Sequence, residues 1–188
     1  MHRLVSDVAK GLLVAASFLV AMPGKASGPF LILGVPVPPP MGARSLCQEY
    51  LWACRDITGS HYRHSELIEM AYLVNSYYNE RIQAADDWET YGQEEKWAVP
   101  TGGSGDCEDY ALAKKETLLA SGVSSDRLLM ATVLDLDRNH HAVLILRTDR
   151  GDYVLDNLTD EIKHWGETGY IYLRVQLPLD KKQWRMVL

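Results

Sequence analysis

The hydrophobic pattern of this 188-residue chain changes its period once, near Leu128. Before that point, residues 65–82 carry apolar side chains at every third or fourth position, which predicts an amphipathic helix with Ser65 as its N-cap. After it, apolar side chains recur at every second position, which predicts strands. The predicted strands span residues 128–134, 141–148, 152–158 and 170–177. Helices followed by hairpin-connected strands indicate an α+β domain with an antiparallel sheet.

A glycine-rich loop leads into a second predicted helix, and Cys107 lies at the junction. The loop is Gly102-Gly103-Ser104-Gly105, and Gly122 is expected to cap the helix after about residue 120. The first N–H groups of a helix have no partner inside it, and they stabilise negative charge. We therefore expect a lowered pKa for the Cys107 thiol, as in a nucleophile. Lys114 and Lys115 on this helix are expected to lie in solvent.

Residues 1–26 have the pattern of a secretory signal peptide. Arg3 and Lys10 precede an apolar run over residues 11–22, and small residues follow at positions 24 and 26. The run is short for a membrane span, so we expect cleavage and no permanent membrane span. An uncleaved anchor is the alternative, because Asp7 is unusual in the basic segment of a signal peptide.

Three segments are predicted along the chain: the signal peptide, a Pro/Gly-rich tether over residues 27–45, and one domain over residues 46–188. The tether follows from Val35-Pro36-Val37-Pro38-Pro39-Pro40, because consecutive prolines favour an extended, solvated chain. The chain has 25 acidic and 19 basic residues, a net charge of -6. This acidic balance argues against a nucleic-acid partner, which requires a basic surface.

Cys47 and Cys54 are close enough in sequence to form a disulfide in an oxidising compartment, leaving Cys107 as the free thiol. In one continuous helix their Cα atoms would lie roughly 10 Å apart, which is too far for a bridge. The bridge therefore requires a break between them. The alternative is a pair of buried, reduced cysteines.

A nucleophilic cysteine needs a base, and His140 and His141 open a predicted strand of the hairpin. Asp156 lies near the end of the next strand, at the same edge of the sheet. A two-residue turn would instead place Asp160 opposite His141, so either aspartate could orient the imidazole. The other histidines of the predicted domain lie in polar stretches and are expected at the surface: His61, His64 and His164.

Three segments around these residues resemble the bacterial transglutaminase-like cysteine proteinases. They are GDCEDYALAK at residues 105–114, HAVL at 141–144 and VLDN at 154–157, in the order and spacing of that family. The resemblance extends from about Cys47 to Gln176. It implies a papain/transglutaminase-like α+β fold, in which the catalytic cysteine opens a helix that packs on an antiparallel sheet.

The resemblance also implies roles for individual residues. It makes Cys107 the nucleophile, His141 the general base and Asp156 the orienting carboxylate, although the family usually has glycine where this chain has His140. LapG-type members bind calcium beside the nucleophile, which implies Ca²⁺ as a cofactor. The candidate ligands here are Asp106, Glu108 and Asp109. The alternative is that these acids stabilise the helix N-terminus without a metal.

The function implied by the resemblance is that of a periplasmic cysteine endopeptidase acting on a protein substrate. LapG-type enzymes release a surface adhesin under the control of an inner-membrane receptor, so both are implied partners. Two alternatives share the same sequence features. One is a transglutaminase or amidase with the same triad, and the other is a non-catalytic, calcium-dependent peptide-binding module.

Overall fold

The computed structural model describes residues 28–188 of the chain. The predicted signal peptide lies outside these residues. No helix among residues 28–188 has both the length and the apolar character needed to cross a membrane.

Nine strands occur in the described part of the chain. They are β1 (Leu33–Val37), β2 (Gln83–Ala84), β3 (Ser104–Gly105), β4 (Leu128–Leu134), β5 (His140–Arg147), β6 (Asp152–Leu155), β7 (Lys163–His164), β8 (Ile171–Leu177) and β9 (Asp180–Val187). Seven form one sheet in the order β1-β9-β8-β4-β5-β6-β7, and every neighbouring pair is antiparallel. The remaining two, β2 and β3, form a short parallel pair.

Five α-helices accompany the sheet: α1 (Leu46–Glu49), α2 (Leu51–Cys54), α3 (His64–Arg81), α4 (Asp87–Tyr91) and α5 (Cys107–Ala120). The two long helices, α3 and α5, pack on one face of the sheet, where Leu112 and Leu118 join Leu144 and Leu146 in a buried core. On the other face, Trp165 and the N-terminal segment cover the side chains of β4 and β5 that point away from the helices. The predicted α+β fold is confirmed.

The predicted boundaries of α3 and α5 are close to those observed, with one wrong cap. Helix α3 begins at His64, so Arg63 and not Ser65 is its N-cap. The side chain of Glu66 accepts hydrogen bonds from the backbone N–H and the guanidinium of Arg63. These bonds stabilise the N-terminus of α3 with Arg63 as its cap. Gly122 follows α5 with φ of 88°, as expected for a glycine that ends a helix.

The tether prediction is wrong for residues 33–37, which form β1 and pair with β9. Strand β1 lies at the edge of the sheet, where Pro36 is tolerated because one side of an edge strand needs no hydrogen bonds. Sequence patterns had not indicated β9, and without a partner strand the proline-rich segment resembled a solvated linker.

The structure confirms the bridge between Cys47 and Cys54, whose Cα atoms lie 5.4 Å apart. One turn of helix precedes Tyr50 and another follows it, while Tyr50 itself has the non-helical dihedrals φ -121° and ψ 81°. This residue supplies the break that the bridge requires. Cys107 is the free cysteine among residues 28–188.

Two lysines of α5 are in a different environment from the one predicted. Lys114 and Lys115 are both fully buried, not solvated. Lys114 Nζ donates to Asn79 Oδ1 at 2.7 Å, and Lys115 Nζ donates to Gln176 Oε1 at 2.9 Å. The sequence prediction failed because α5 is covered on two sides, by α3 and by the sheet, so positions on its polar side are enclosed.

The three histidines expected at the surface also differ from one another. His61 is exposed, whereas His64 and His164 are half-buried and both contact the Tyr153 ring. His164 Nε2 lies 3.0 Å from the carbonyl oxygen of Pro29. None of these three lies in the cleft that contains Cys107.

Candidate active site

Cys107 is the first residue of α5, and the glycine loop fixes its position. The carbonyl oxygens of Gly103 and Gly105 accept hydrogen bonds from the backbone N–H groups of Gln83 and Ala85. A Cβ on Gly105 would lie 2.5 Å from Asp109 Oδ2, so only glycine allows this carboxylate to approach the loop. The loop therefore holds the start of α5 through backbone contacts.

The Cys107 sulfur has two hydrogen-bond partners among residues 28–188. It accepts from the backbone N–H of Ala142 at 3.2 Å and donates to Glu108 Oε2 at 3.2 Å. Burial, followed by the negative charge of Glu108, raises the pKa of the thiol above its ordinary range. This result contradicts the expected lowering: the helix N-terminus and the Ala142 N–H are outweighed while the neighbouring acids are not neutralised.

His141 and Asp156 form a hydrogen bond of 2.8 Å between Nε2 and Oδ1, and both side chains are buried. The hairpin loop has four residues, so β5 and β6 pair with Arg147 opposite Asp152 and Leu144 opposite Leu155. The ladder ends there, and Asp156 Oδ1 also accepts from the backbone N–H of Leu158. The chain turns at Asp156 and points its carboxylate toward the histidine.

The rival aspartate and the rival histidine of the sequence analysis occupy other positions. Asp160 accepts a hydrogen bond from Asn79 Nδ2 and lies in an exposed turn. His140 is exposed, and it lines the same cleft as Cys107 without a hydrogen bond to any of the described carboxylates. The structure thus brings Asp156 to His141.

Tyr170 completes the surroundings of the His141–Asp156 pair, and the sequence analysis did not identify it. Its hydroxyl donates to Asp156 Oδ2 at 2.6 Å, and its ring meets the His141 ring edge-on at 5.9 Å between centroids. Tyr170 directly precedes β8, which is a neighbour of β4 and not of β5. No sequence pattern indicates this contact, because it depends on the order of strands in the sheet.

A cleft of about 360 Å³ opens over Cys107 and His141. Its walls come from the start of α5, from β4, β5 and β8, and from the two loops around residues 40–41 and 95–97. Trp97 is part of both the core and this wall, and its ring packs edge-on against Trp184. Cys107 and His141 both line this cleft.

An acidic cluster lies beside Cys107, formed by Asp87, Asp106 and Glu108. One carboxylate oxygen from each lies within 4.8 Å of the others. Each side chain has a buried oxygen with no hydrogen-bond partner in the described chain: Asp87 Oδ1, Asp106 Oδ1 and Glu108 Oε1. Among residues 28–188, no lysine, arginine or histidine forms a salt bridge with any of the three.

The acidic cluster differs from the predicted ligand set at two positions. Asp109 is fully buried, and its two oxygens accept hydrogen bonds from the Tyr91 hydroxyl and the Ala98 N–H. Asp87, at the start of α4, takes its place in the cluster. The sequence analysis missed Asp87, because only the fold brings α4 next to the start of α5.

The family model of the bacterial transglutaminase-like cysteine proteinases matches residues 34–188. This chain belongs to that family. It is a cysteine proteinase with a transglutaminase-like fold, and a protease of this kind has a protein substrate. The predictions of family, fold and enzyme class are confirmed.

The proteinase is also similar to solved structures of LapG from Legionella pneumophila. The calcium-bound LapG structure shares 27% sequence identity and a TM-score of 0.50, covering 58% of this chain and 70% of that one. The EGTA-treated LapG structure shares 26% identity and a TM-score of 0.51, covering 60% of this chain and 64% of that one. No curated protein matches the sequence.

The pKa values of the acidic cluster and of Asp156 shift in opposite directions. Burial and the charge of Asp106 raise the pKa of Glu108 to about 9, and burial and the charge of Asp87 raise the pKa of Asp106 to about 6. Burial also tends to raise the pKa of Asp156, but the hydrogen bond and charge of His141 hold it below its ordinary value. Asp156 is thus ionised at neutral pH, whereas Glu108 keeps its proton there because ionisation of the buried, mutually repelling acids is disfavoured.

Proposed function

We propose that this proteinase hydrolyses peptide bonds with Cys107 as nucleophile, His141 as general base and Asp156 as the orienting carboxylate. The observation that carries the proposal is the buried 2.8 Å hydrogen bond between His141 and Asp156, beside a free thiol in the same cleft. With Asp156 on Nε2, the imidazole keeps its proton there and offers Nδ1 as the basic atom.

The reaction begins when His141 Nδ1 takes the proton of the Cys107 thiol and the sulfur attacks the substrate carbonyl carbon. The C–N bond then breaks, and His141 returns the proton to the leaving amine. Water attacks the resulting thioester, with His141 as base, and releases the acid and the thiol. As the first residue of α5, Cys107 has a backbone N–H without an acceptor inside the helix, which suits it to bind the developing oxyanion.

A calcium ion fits the acidic cluster of Asp87, Asp106 and Glu108. Hard cations prefer carboxylate oxygens; the three carboxylates converge here, and each has a buried oxygen without a partner in the described chain. The LapG structures, one calcium-bound and one EGTA-treated, support the choice of ion. Bound calcium would supply positive charge that neutralises the acids beside Cys107, and Glu108 would then no longer disfavour the thiolate.

We place the proteinase in the periplasm, where it would cleave a surface adhesin under the control of an inner-membrane receptor. The signal-peptide pattern of residues 1–26 and the disulfide between Cys47 and Cys54 favour export. The adhesin and the receptor are what the sequence resemblance to LapG-type proteinases implies. A comparison of surface proteins released by cells carrying wild type or Cys107→Ala tests this assignment: an adhesin retained only in the variant supports it, and equal release contradicts it.

The chemical proposal is tested by alkylation of the purified, calcium-loaded protein with iodoacetamide. Wild-type Cys107 is expected to react faster than a free thiol at neutral pH, and His141→Ala is expected to reduce the rate about a hundredfold. The variant His140→Ala is the matched control, because it removes the adjacent imidazole from the same cleft. Equal rates for wild type and His141→Ala, or a loss confined to His140→Ala, would contradict the triad.

A further inference from the structure

The orienting carboxylate belongs to a residue that the sheet does not hold. Pairing between β5 and β6 ends at Leu155, so the backbone of Asp156 lies one residue beyond the last ladder pair. A hydrogen bond of 2.8 Å to His141 nevertheless requires the carboxylate to be placed within a few tenths of an ångström. Other contacts must therefore fix the turn that begins at Asp156.

The side chain of Asn79 on α3 makes three of those contacts. Its Nδ2 donates to the carbonyl oxygen of Asp156 at 2.9 Å, to that of Thr159 at 3.1 Å, and to Asp160 Oδ1 at 2.9 Å. One amide group thus holds both ends of the segment 156–160. The contact to Asp156 reaches the main chain of the residue whose side chain holds His141.

Lys114 on α5 determines which way the Asn79 amide faces. Its Nζ donates to Asn79 Oδ1 at 2.7 Å, so the amide oxygen must point toward the ammonium and the NH₂ group toward segment 156–160. An amide turned the other way would set its oxygen against two carbonyl oxygens. Lys114 is fully buried, and the nearby charges of Asp156 and Asp160 partly compensate the cost of that burial.

We propose that Asn79, with its amide fixed by Lys114, is a positioning residue that sets the place of Asp156 against His141. The inference rests on the proposed function, since it assigns to Asn79 a role in the triad. It also gives a reason for the buried lysine that the sequence analysis placed in solvent.

The chain offers a matched control for each residue of this network. Asn75 lies one turn earlier on α3, is fully buried, and donates to the carbonyl oxygen of Thr159 at 2.8 Å, but it has no contact with Asp156. Lys115 is the neighbour of Lys114 and equally buried, and its amide partner is Gln176 of β8. Both controls remove a buried polar group without touching the backbone of Asp156.

The test uses four variants of the calcium-loaded protein: Asn79→Asp, Asn75→Ala, Lys114→Met and Lys115→Met. Asn79→Asp keeps the size of the side chain and the acceptor for Lys114, but it loses the NH₂ donors. Each variant is measured for the rate of Cys107 alkylation by iodoacetamide and for the low-field proton resonance of the His141–Asp156 hydrogen bond. The resonance is assigned by its absence in His141→Ala, and thermal unfolding reports stability separately.

We expect Asn79→Asp to reduce the alkylation rate about ten- to a hundredfold and to shift or remove the low-field resonance. Lys114→Met is expected to act in the same direction with a smaller effect. Asn75→Ala and Lys115→Met should keep the resonance and a rate within about threefold of wild type, even where they lower the melting temperature. A structural role alone would move the melting temperature in all four and the resonance in none.

The inference is overturned if Asn79→Asp and Lys114→Met, compared with their controls, leave both the rate and the resonance unchanged. If Asn79→Asp does not fold, Lys114→Met against Lys115→Met decides the question by the same two measurements. Failure of the proposed function has a different signature. In that case wild-type Cys107 itself reacts no faster than a free thiol, and His141→Ala changes nothing.

Discussion

Two groups of carboxylates belong to the candidate site, and their surroundings differ: Asp156 contacts His141, whereas Glu108 contacts the Cys107 thiol. Asp156 has partners for both oxygens: His141 and the Leu158 N–H bond Oδ1, and Tyr170 bonds Oδ2. In the acidic cluster of Asp87, Asp106 and Glu108, each side chain has a buried oxygen with no partner in the described chain. The first carboxylate is organised by the protein alone. The second group lacks such partners, which is the arrangement that the proposed calcium ion would complete.

The largest expected effect comes from removing the charge of Asp156. Asp156→Asn keeps the size of the side chain but removes its charge and favours the wrong imidazole tautomer, so peptide hydrolysis should fall about 10³- to 10⁴-fold. The measurement is kcat on a cleaved protein or peptide substrate, with Asp160→Asn as the control in the same segment. A similar loss in Asp160→Asn would show that the segment, and not the orienting carboxylate, is responsible.

In the acidic cluster, Glu108→Gln should weaken calcium binding about ten- to a hundredfold, because it removes one of the three charged candidate ligands. Isothermal titration of the EGTA-stripped protein with calcium measures this effect directly. The alkylation rate of Cys107 in Glu108→Gln should also depend less on calcium than in wild type. Unchanged calcium affinity would remove Glu108 from the site.

Tyr170→Phe tests how much the hydrogen bond from Tyr170 to Asp156 Oδ2 contributes to catalysis. A hydrogen bond to a charged group contributes about 1.5–3 kcal/mol, so we expect a roughly tenfold or greater loss in kcat with little change in KM. Tyr172→Phe is the control, since the Tyr172 hydroxyl contacts Thr168 and not the triad. Equal effects of the two substitutions would mean that Tyr170 acts only through packing.

The pH dependence of stability should differ with and without calcium. Glu108 and Asp106 have raised pKa values, about 9 and about 6, in place of 4.5 and 3.8. In EGTA the folded state therefore binds more protons than the unfolded state, and the free energy of unfolding should fall as pH rises from about 4 toward 9. Saturating calcium should flatten this slope, and urea titrations at several pH values measure it. If the pH dependence of the free energy of unfolding is the same in EGTA and in calcium, the cation site is contradicted.

The smallest effect on calcium is expected for Asp109→Asn. Its oxygens already accept hydrogen bonds from Tyr91 and the Ala98 N–H, so the substitution should lower the melting temperature while calcium affinity stays within about threefold of wild type. The same titration as for Glu108→Gln decides this point. A large loss of affinity would restore Asp109 to the ligand set.

The sequence predicted the parts of this molecule that depend on local pattern. The helix that starts at Cys107 and the strand from Leu128 to Leu134 follow from spacing and residue type, whereas the bridge between Cys47 and Cys54 was one of two open alternatives. Spacing alone left Asp156 and Asp160 open, because the hairpin loop has four residues and the ladder ends before either aspartate. The family resemblance pointed to the residue that contacts His141.

The features that sequence reasoning missed all arise between distant segments. Asp87 joins Asp106 and Glu108 because α4 lies beside the start of α5. Tyr170 contacts Asp156 although β8, the strand that follows Tyr170, is not a neighbour of β6 in the sheet. Lys114 looked solvated because lysine usually lies at the surface, and only the packing of α3 on α5 encloses it. Such contacts depend on tertiary arrangement, which periodicity along one segment does not encode.

The pairing of β1 with β9 has a practical consequence for anyone who trims the protein. A recombinant form starting at residue 46 keeps the domain predicted from the sequence, but it loses β1 and leaves the main chain of β9 open along one side. Open strand edges recruit strands from other molecules, so we expect this shortened form to associate and precipitate. The carbonyl oxygen of Pro29 accepts a hydrogen bond from the Asp152 N–H. A shortened form should therefore begin no later than Pro29.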